Sequence, residues 1–239
     1  MTTPNQPRST PHRNLAYLLV TGFLLAVVVL GAVVLVVTSR EDSASGIGPP
    51  PAAPPSTATA SGCRPTDTRH DIPAAAPPDL RWTLYKTVAL PYSASAGPFV
   101  VDSEVARCYA HAPLGALVAG PQIWWRAGAS PGWRKVLAHQ LTGTAAARNA
   151  YVSQCTGKCG KDIPAGTYGQ FAGFKFIAYT PSTAVIEIVG RLPSGRMNAF
   201  PLTLVWEGDW KLQLQPDGIS AGTARSITSL DGYVRWGGV

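Results

Sequence analysis

The sequence predicts an α+β domain joined by a proline-rich spacer to one apolar span. Three observations carry that reading. Leu15–Thr38 (LAYLLVTGFLLAVVVLGAVVLVVT) holds 24 residues without a charge or a proline. Between residues 104 and 154 the apolar positions recur at helical spacing, and beyond Gly169 their period changes to two. Helices followed by an antiparallel meander give helices packed on one face of a curved sheet.

The span comes first. At ~1.5 Å per residue it reaches ~36 Å, enough to cross a ~30 Å hydrocarbon core with some tilt. A signal peptide has a shorter apolar region and a small-residue cleavage site close behind it. Here the run ends in Thr38-Ser39-Arg40-Glu41-Asp42, and Ser43-Ala44-Ser45 is the alternative cleavage site. The head carries Arg8 and Arg13 and no acid, whereas the other flank sets Arg40 against Glu41 and Asp42. Basic residues favour the cytoplasmic side, so the expected N-terminus is cytoplasmic and the body extracellular. The expected organisation is a head over 1–14, a span in the lipid bilayer over 15–38, a disordered spacer over 39–79 and a body over 80–239.

The spacer holds nine prolines between residues 41 and 79, with runs of Ala, Ser and Thr and few large apolar side chains. Such a segment buries too little surface to offset its ordering entropy. Extended at ~3.1 Å per residue, it reaches roughly 120 Å, or about 70 Å if Cys63 is tied to the body.

Of twenty cations and thirteen acids, three cations and no acids precede residue 41. The remainder therefore carries a mild, scattered +4 of the total +7, which argues against direct nucleic-acid binding. Four cysteines, Cys63, Cys108, Cys155 and Cys159, all follow the span. An even number in an exported body reads as two disulfides, and of three connectivities the short spacing favours Cys155–Cys159 with Cys63–Cys108.

Along the body, Arg81–Leu90 (RWTLYKTVAL) is β-like, and PYSASAGP breaks it into loop. Glu104–Ala119 begins a helical region with Leu114, Leu117 and Val118 at helical spacing. Gly120-Pro121 is expected to kink or end it, because proline lacks the N–H and clashes with the preceding turn. Ile123-Trp124-Trp125-Arg126 then follows on a second piece. Pro131–Leu141 restarts a helix with Trp133, Val136, Leu137 and Leu141 on one face. Thr144–Gln154 is a third, alanine-rich helix that must turn near Cys155 for Cys159 to be reached, as Gly157 and Gly160 permit. Four strands follow: Phe174–Tyr179, the run around Ala184, Ile186 and Ile188, Phe200–Trp206, and Trp210–Leu214. Turn-forming residues join them, and Pro201 marks an edge or a bulge.

This order is similar to the cone-shaped nuclear-transport-factor-2-like fold. The segments ARCYAHAPLGALVAG, GWRKVLAHQL, GFKFIAYTPSTAVIEIV and PLTLVWEGDWKLQL resemble an uncharacterised family of single-pass proteins from actinobacterial integrative and conjugative elements. The resemblance covers roughly residues 61–239. It implies an extracytoplasmic domain that serves conjugative DNA transfer. By architecture alone, the arrangement is also similar to an assembly subunit of type IV secretion systems.

Chemistry is sparse. Asp102 with His111 is the best acid–base pair, and Glu104, Glu187 and Asp209 are the other acids near structured elements. His111 equally suits a cap or packing role, and His139 a solvated helix face. Cys155-x-x-x-Cys159 has the spacing of some copper carriers, but copper would want His or Met nearby, so a structural disulfide is expected. No cofactor and no metal are expected. Trp124, Trp125 and Arg126 form a candidate partner surface. The two adjacent Trp residues point ~100° apart on a helix, so one should be half exposed. The expected function is non-enzymatic protein–protein assembly with envelope or secretion-channel proteins, and with further copies of the chain. The alternatives are a pocket for cell-wall or lipid material, and a cone-fold enzyme.

Overall fold

The computed structural model describes residues 63–237, and the expected span Leu15–Thr38 lies outside them. Among the described residues no helix is long and apolar enough to cross a membrane. They form an α+β body of eleven strands and three helices, with a curved, mostly antiparallel sheet.

Strands β1 (Leu80–Tyr85) and β2 (Val88–Ser93) form a hairpin. Its two-residue turn uses Lys86 at φ +58°, the positive φ that such turns require. The loop expected from Pro91 thus begins only after Ser93. A second small hairpin, β3 (Val100–Asp102) with β4 (Val105–Arg107), occupies the start of the expected first helix. Val105 and Ala106 are both buried there while Arg107 is exposed, so both faces of the short strand are covered at its start.

Helix α1 (Pro113–Ala129) does not end at Gly120-Pro121 but continues through it as one 17-residue element, so Trp124, Trp125 and Arg126 sit on the same helix as Leu114. An interior proline costs about 3 kcal/mol through a lost hydrogen bond and a clash. Packing decides the outcome here. All residues of α1 except Trp124 and Gly128 are buried, and burial gains roughly 1.5–3 kcal/mol per large apolar side chain. The helix is therefore the spine of the core, touching β2 and the strands of the C-terminal meander.

Helix α2 (Trp133–Gln140) turns Trp133, Val136 and Leu137 inward, and β5 (Leu141–Thr142) follows at once. Helix α3 (Ala145–Cys155) starts where Thr144 Oγ1 accepts the Ala147 N–H at 3.1 Å, a cap contributing ~1 kcal/mol.

The meander is as the period-two pattern predicts: β6 (Gln170–Thr180), β7 (Thr183–Arg191), β8 (Met197–Trp206) and β9 (Trp210–Gln213). Two short strands, β10 (Arg225–Ile227) and β11 (Val234–Arg235), complete the sheet. The order is β11-β6-β7-β8-β9-β5, with β10 on β8 and only β5–β9 parallel. Pro201 pairs with Glu187 of β7 on one side. On its other side it falls between the stretches paired to β10 (197–199) and β9 (204–206), and the Pro201 carbonyl accepts the Gly222 N–H at 2.8 Å. The proline thus sits at a locally open edge, where a missing N–H removes no ladder bond.

Both disulfides, Cys63–Cys108 and Cys155–Cys159, pair as expected. The first extends the folded body back into the expected spacer. Asp67 is buried, and the N–H groups of Thr66 and Asp67 both donate to the Ser95 carbonyl. Asp79 accepts from the hydroxyls of Ser93 and Ser95 and from the Ser95 N–H. Residues 63–79 are therefore held by polar anchors rather than by apolar side chains of their own. The remainder of the expected spacer, 39–62, lies outside the described residues.

Candidate functional site

The candidate site is an aromatic cleft where the C-terminal half of α1 meets the loop after α3. Trp124 and Trp125 point to different sides of the helix, with ring centroids 6.1 Å apart. Trp124 is half-buried and packs on Phe200 of β8 at 4.7 Å and Phe171 of β6 at 6.3 Å. Trp125 is buried, gives its indole N–H to the Tyr85 carbonyl at 3.1 Å, and meets Tyr168 edge-on at 5.0 Å. Tyr168 itself is 47% exposed.

The wall opposite the helix is the loop 156–169. Cys155–Cys159 closes its start, and Gly157, Gly160 and Gly166 take φ of +77°, +73° and +76°. At Gly160 a Cβ would stand 2.7 Å from the Ser130 carbonyl oxygen, so the loop closes against the end of α1 only with glycine there. Two adjoining cavities of about 490 and 220 Å³ share Trp124, Trp125 and Tyr168. Lys158 and Lys161 line the larger, and Asp162 beside them pairs with Lys86 at 3.5 Å. Apolar walls with a few polar groups at the rim are the ordinary make-up of a binding pocket.

One member of the expected surface is corrected. Arg126 is only 1% exposed and faces the core. Its Nε donates to Gln122, Nη1 to the Ser103 carbonyl and Nη2 to the Tyr92 hydroxyl, and the guanidinium lies 4.1 Å over the Tyr85 ring. It locks α1 to the two hairpins. Adjacent helical residues differ by ~100°, so Trp124 at the cleft and Arg126 in the core follow from one geometry. Tyr168, Phe171 and Phe200 were not singled out from sequence. The one available signal was Tyr168 between two glycines, Gly166 and Gly169.

The acid–base candidates are not brought together. Asp102 is exposed on β3 opposite Val105. His111, also exposed, stacks on Trp206 at 4.0 Å and shares a 2.6 Å hydrogen bond with the Pro181 carbonyl. Glu104 accepts from the Tyr85 hydroxyl at 3.2 Å. Asp209 clamps the chain, accepting the N–H groups of Cys108, Tyr109 and Trp210 at 2.6, 3.0 and 2.9 Å. Burial pushes its carboxyl up, and those three N–H groups pull it back only in part. Glu187 accepts two hydrogen bonds from Arg225 and one from Tyr233. Burial raises its carboxyl, but these hydrogen bonds outweigh it and hold the group below the ordinary range. A second cleft, about 740 Å³, gathers His70, His111, His139, Asp209 and the Cys63–Cys108 bridge. Among the described residues, no group of three or more His, Cys, Asp or Glu side chains is placed to hold a metal ion.

A family model for a domain of unknown function, DUF8175, matches residues 44–235. No curated protein and no solved structure matches the chain. The match runs from the spacer through β11 and includes both disulfides and the whole aromatic cleft, so the chain belongs to the DUF8175 family.

Proposed function

We propose that this chain is a non-enzymatic, membrane-anchored envelope protein whose body docks other envelope proteins through the aromatic cleft, in a conjugative DNA-transfer or secretion assembly. The observation that carries the docking role is the half-buried Trp124 and exposed Tyr168, which line both adjoining cavities, the smaller of them almost wholly apolar. Interface energy concentrates in Trp, Tyr and Arg side chains seated in such desolvated pockets. The bilayer contact is assigned to Leu15–Thr38 with the N-terminus cytoplasmic. Two disulfides in the body support an extracytoplasmic location, since disulfides persist in oxidising compartments. The curved sheet packed on α1 supports the nuclear-transport-factor-2-like cone. Nucleic acid is not part of this proposal.

Crosslinking in intact cells followed by identification of the attached proteins tests it. Recovery of secretion-channel subunits by the native chain, lost with Tyr168→Ala, supports docking. Recovery of glycan fragments or lipid instead moves the reading to a ligand pocket, which the aromatic walls also suit. Recovery unchanged by Tyr168→Ala sinks the cleft as the docking site.

A further inference from the structure

Three adjoining cavities meet at one side chain. Tyr168 lines the two that flank Trp124 and Trp125, and also a third of about 520 Å³ bounded by Arg191, Leu230 and Arg235. Lys158, Lys161 and Asp162 line the first of these, and Arg191 and Arg235 the third. Asp162 is paired with Lys86 at 3.5 Å. All four cations are exposed, and none forms an ion pair among the described residues. Four cations to one acid contrasts with seventeen to thirteen in the chain beyond residue 40. We propose that the segment docked in the cleft is an acidic stretch of the partner protein, anchored by one apolar or aromatic side chain. This rests on the docking role of the cleft and names what docks there.

The smallest cavity, at the centre, sets the anchor. Val88, Trp124, Trp125, Phe171 and Phe200 are among its walls. The two amide side chains in its lining are already engaged. Gln170 accepts the Ala89 N–H and donates to the Thr87 carbonyl, both at 2.8 Å. Asn198 Oδ1 accepts the Ser226 hydroxyl at 3.2 Å. A sugar would bring hydroxyls that need partners, and burying them unpaired opposes its entry. An apolar side chain has no such cost. The charges divide around this socket, the two lysines lining one neighbour and the two arginines the other. A single phosphate, as in a lipid headgroup, wants donors that converge on one point. Separate carboxylates on either side of an apolar residue match the divided arrangement, and an arginine fork takes a carboxylate in bidentate fashion. Such exposed pairs act chiefly on association rate and on the choice of partner.

The full chain in phosphatidylcholine nanodiscs, titrated with fluorescein-labelled peptides, tests the chemistry. The probes are a short peptide with a central Phe flanked by Asp and Glu, the same peptide with Lys for every acid, and the acidic peptide with Ala for Phe. The acidic Phe peptide should bind at least about tenfold more tightly than either control, and more weakly as salt rises. Lys158→Glu/Lys161→Glu and Arg191→Glu/Arg235→Glu, each melting as the native chain does, should each weaken it about tenfold. Equal binding of the acidic and basic peptides overturns the proposal, as does indifference to both charge reversals. So does capture by phosphatidylglycerol vesicles, lost in the same variants, with no binding of any peptide, which assigns the cations to lipid. In intact cells, a crosslink from position 168 that survives both reversals refutes the acidic partner and leaves docking through the cleft in place. No crosslink from that position in the native chain removes both.

Discussion

Removing either disulfide should expose how unequally the two bridges hold the body. Cys63→Ser and Cys159→Ser are matched perturbations. Each removes the half-buried partner of a bridge and keeps the buried one, Cys108 at 5% and Cys155 at 4% exposure. The bridges close loops of sequence separation 45 and 4. In the loop-entropy model these constrain the unfolded chain by about 4 and about 2 kcal/mol, upper-end values because residual structure in the unfolded chain reduces them. Unfolding entropy of ~2.1 cal/mol/K per residue converts those to losses of about 11 and about 6 °C for a body of this size. The longer bridge also holds 63–79 against Ser95, so its loss loosens the hydrogen bonds from the Thr66 and Asp67 N–H groups to the Ser95 carbonyl at 2.9 and 3.0 Å. Scanning calorimetry measures both losses, and thiol titration confirms that the other bridge survives. A larger loss for Cys159→Ser would refute the reasoning, as would non-reducing peptide maps that join Cys63 to Cys155 or Cys159.

Three further outcomes follow from the polar anchors. Because the folded Glu187 carboxyl lies below its unfolded value of about 4.3, its stabilisation is complete above that pH and is lost as the pH falls through the lower folded value. Glu187→Gln should therefore lower the melting temperature at neutral pH and flatten its fall in acid, as pH-dependent melting would show. Tyr233 is pushed up to about 12, by burial first and then by its hydrogen bond to Glu187, so Tyr233→Phe should weaken the same clamp without adding a titration near neutrality. Asp209→Ala strands three N–H groups and should cost roughly 1–3 kcal/mol or more in urea unfolding. His111→Ala and Asp102→Asn, made singly, should leave function intact in any folded protein, whereas a catalytic acid or base would lose ~10²–10⁴-fold in rate.

The meander was legible because a one-sided sheet writes its burial into a period of two: Phe200, Leu202 and Leu204, then Trp210, Leu212 and Leu214, are inside as their spacing says. The path of α1 through Pro121 was not. A local rule kinks or ends the helix there, and core packing around the whole helix carries it past the proline. Residues 63–79 read as spacer by composition, since their order comes from Cys108 and Ser95, distant in sequence. Glu187 was legible as an exposed alternate, yet Arg225 and Tyr233 arrive from the far end of the chain to cover it. The cleft was half visible. Adjacent Trp124 and Trp125 announced a divided pair, while Tyr168, Phe171 and Phe200 join them only through the closed loop and the sheet. The burial of Arg126 depends on Tyr85, Tyr92 and Ser103, which no helical spacing connects to it.

Docking through the aromatic cleft is tested most directly by a photo-crosslinking amino acid at position 168 of the full chain in intact cells, set against the same group at the exposed His111 of the second cleft. The account predicts a discrete adduct with an envelope protein from position 168, weakened when Trp124 is changed to Phe or Leu in a body that melts as before, and none from position 111. Equal adducts from both positions, or a position-168 adduct indifferent to Trp124, would contradict it.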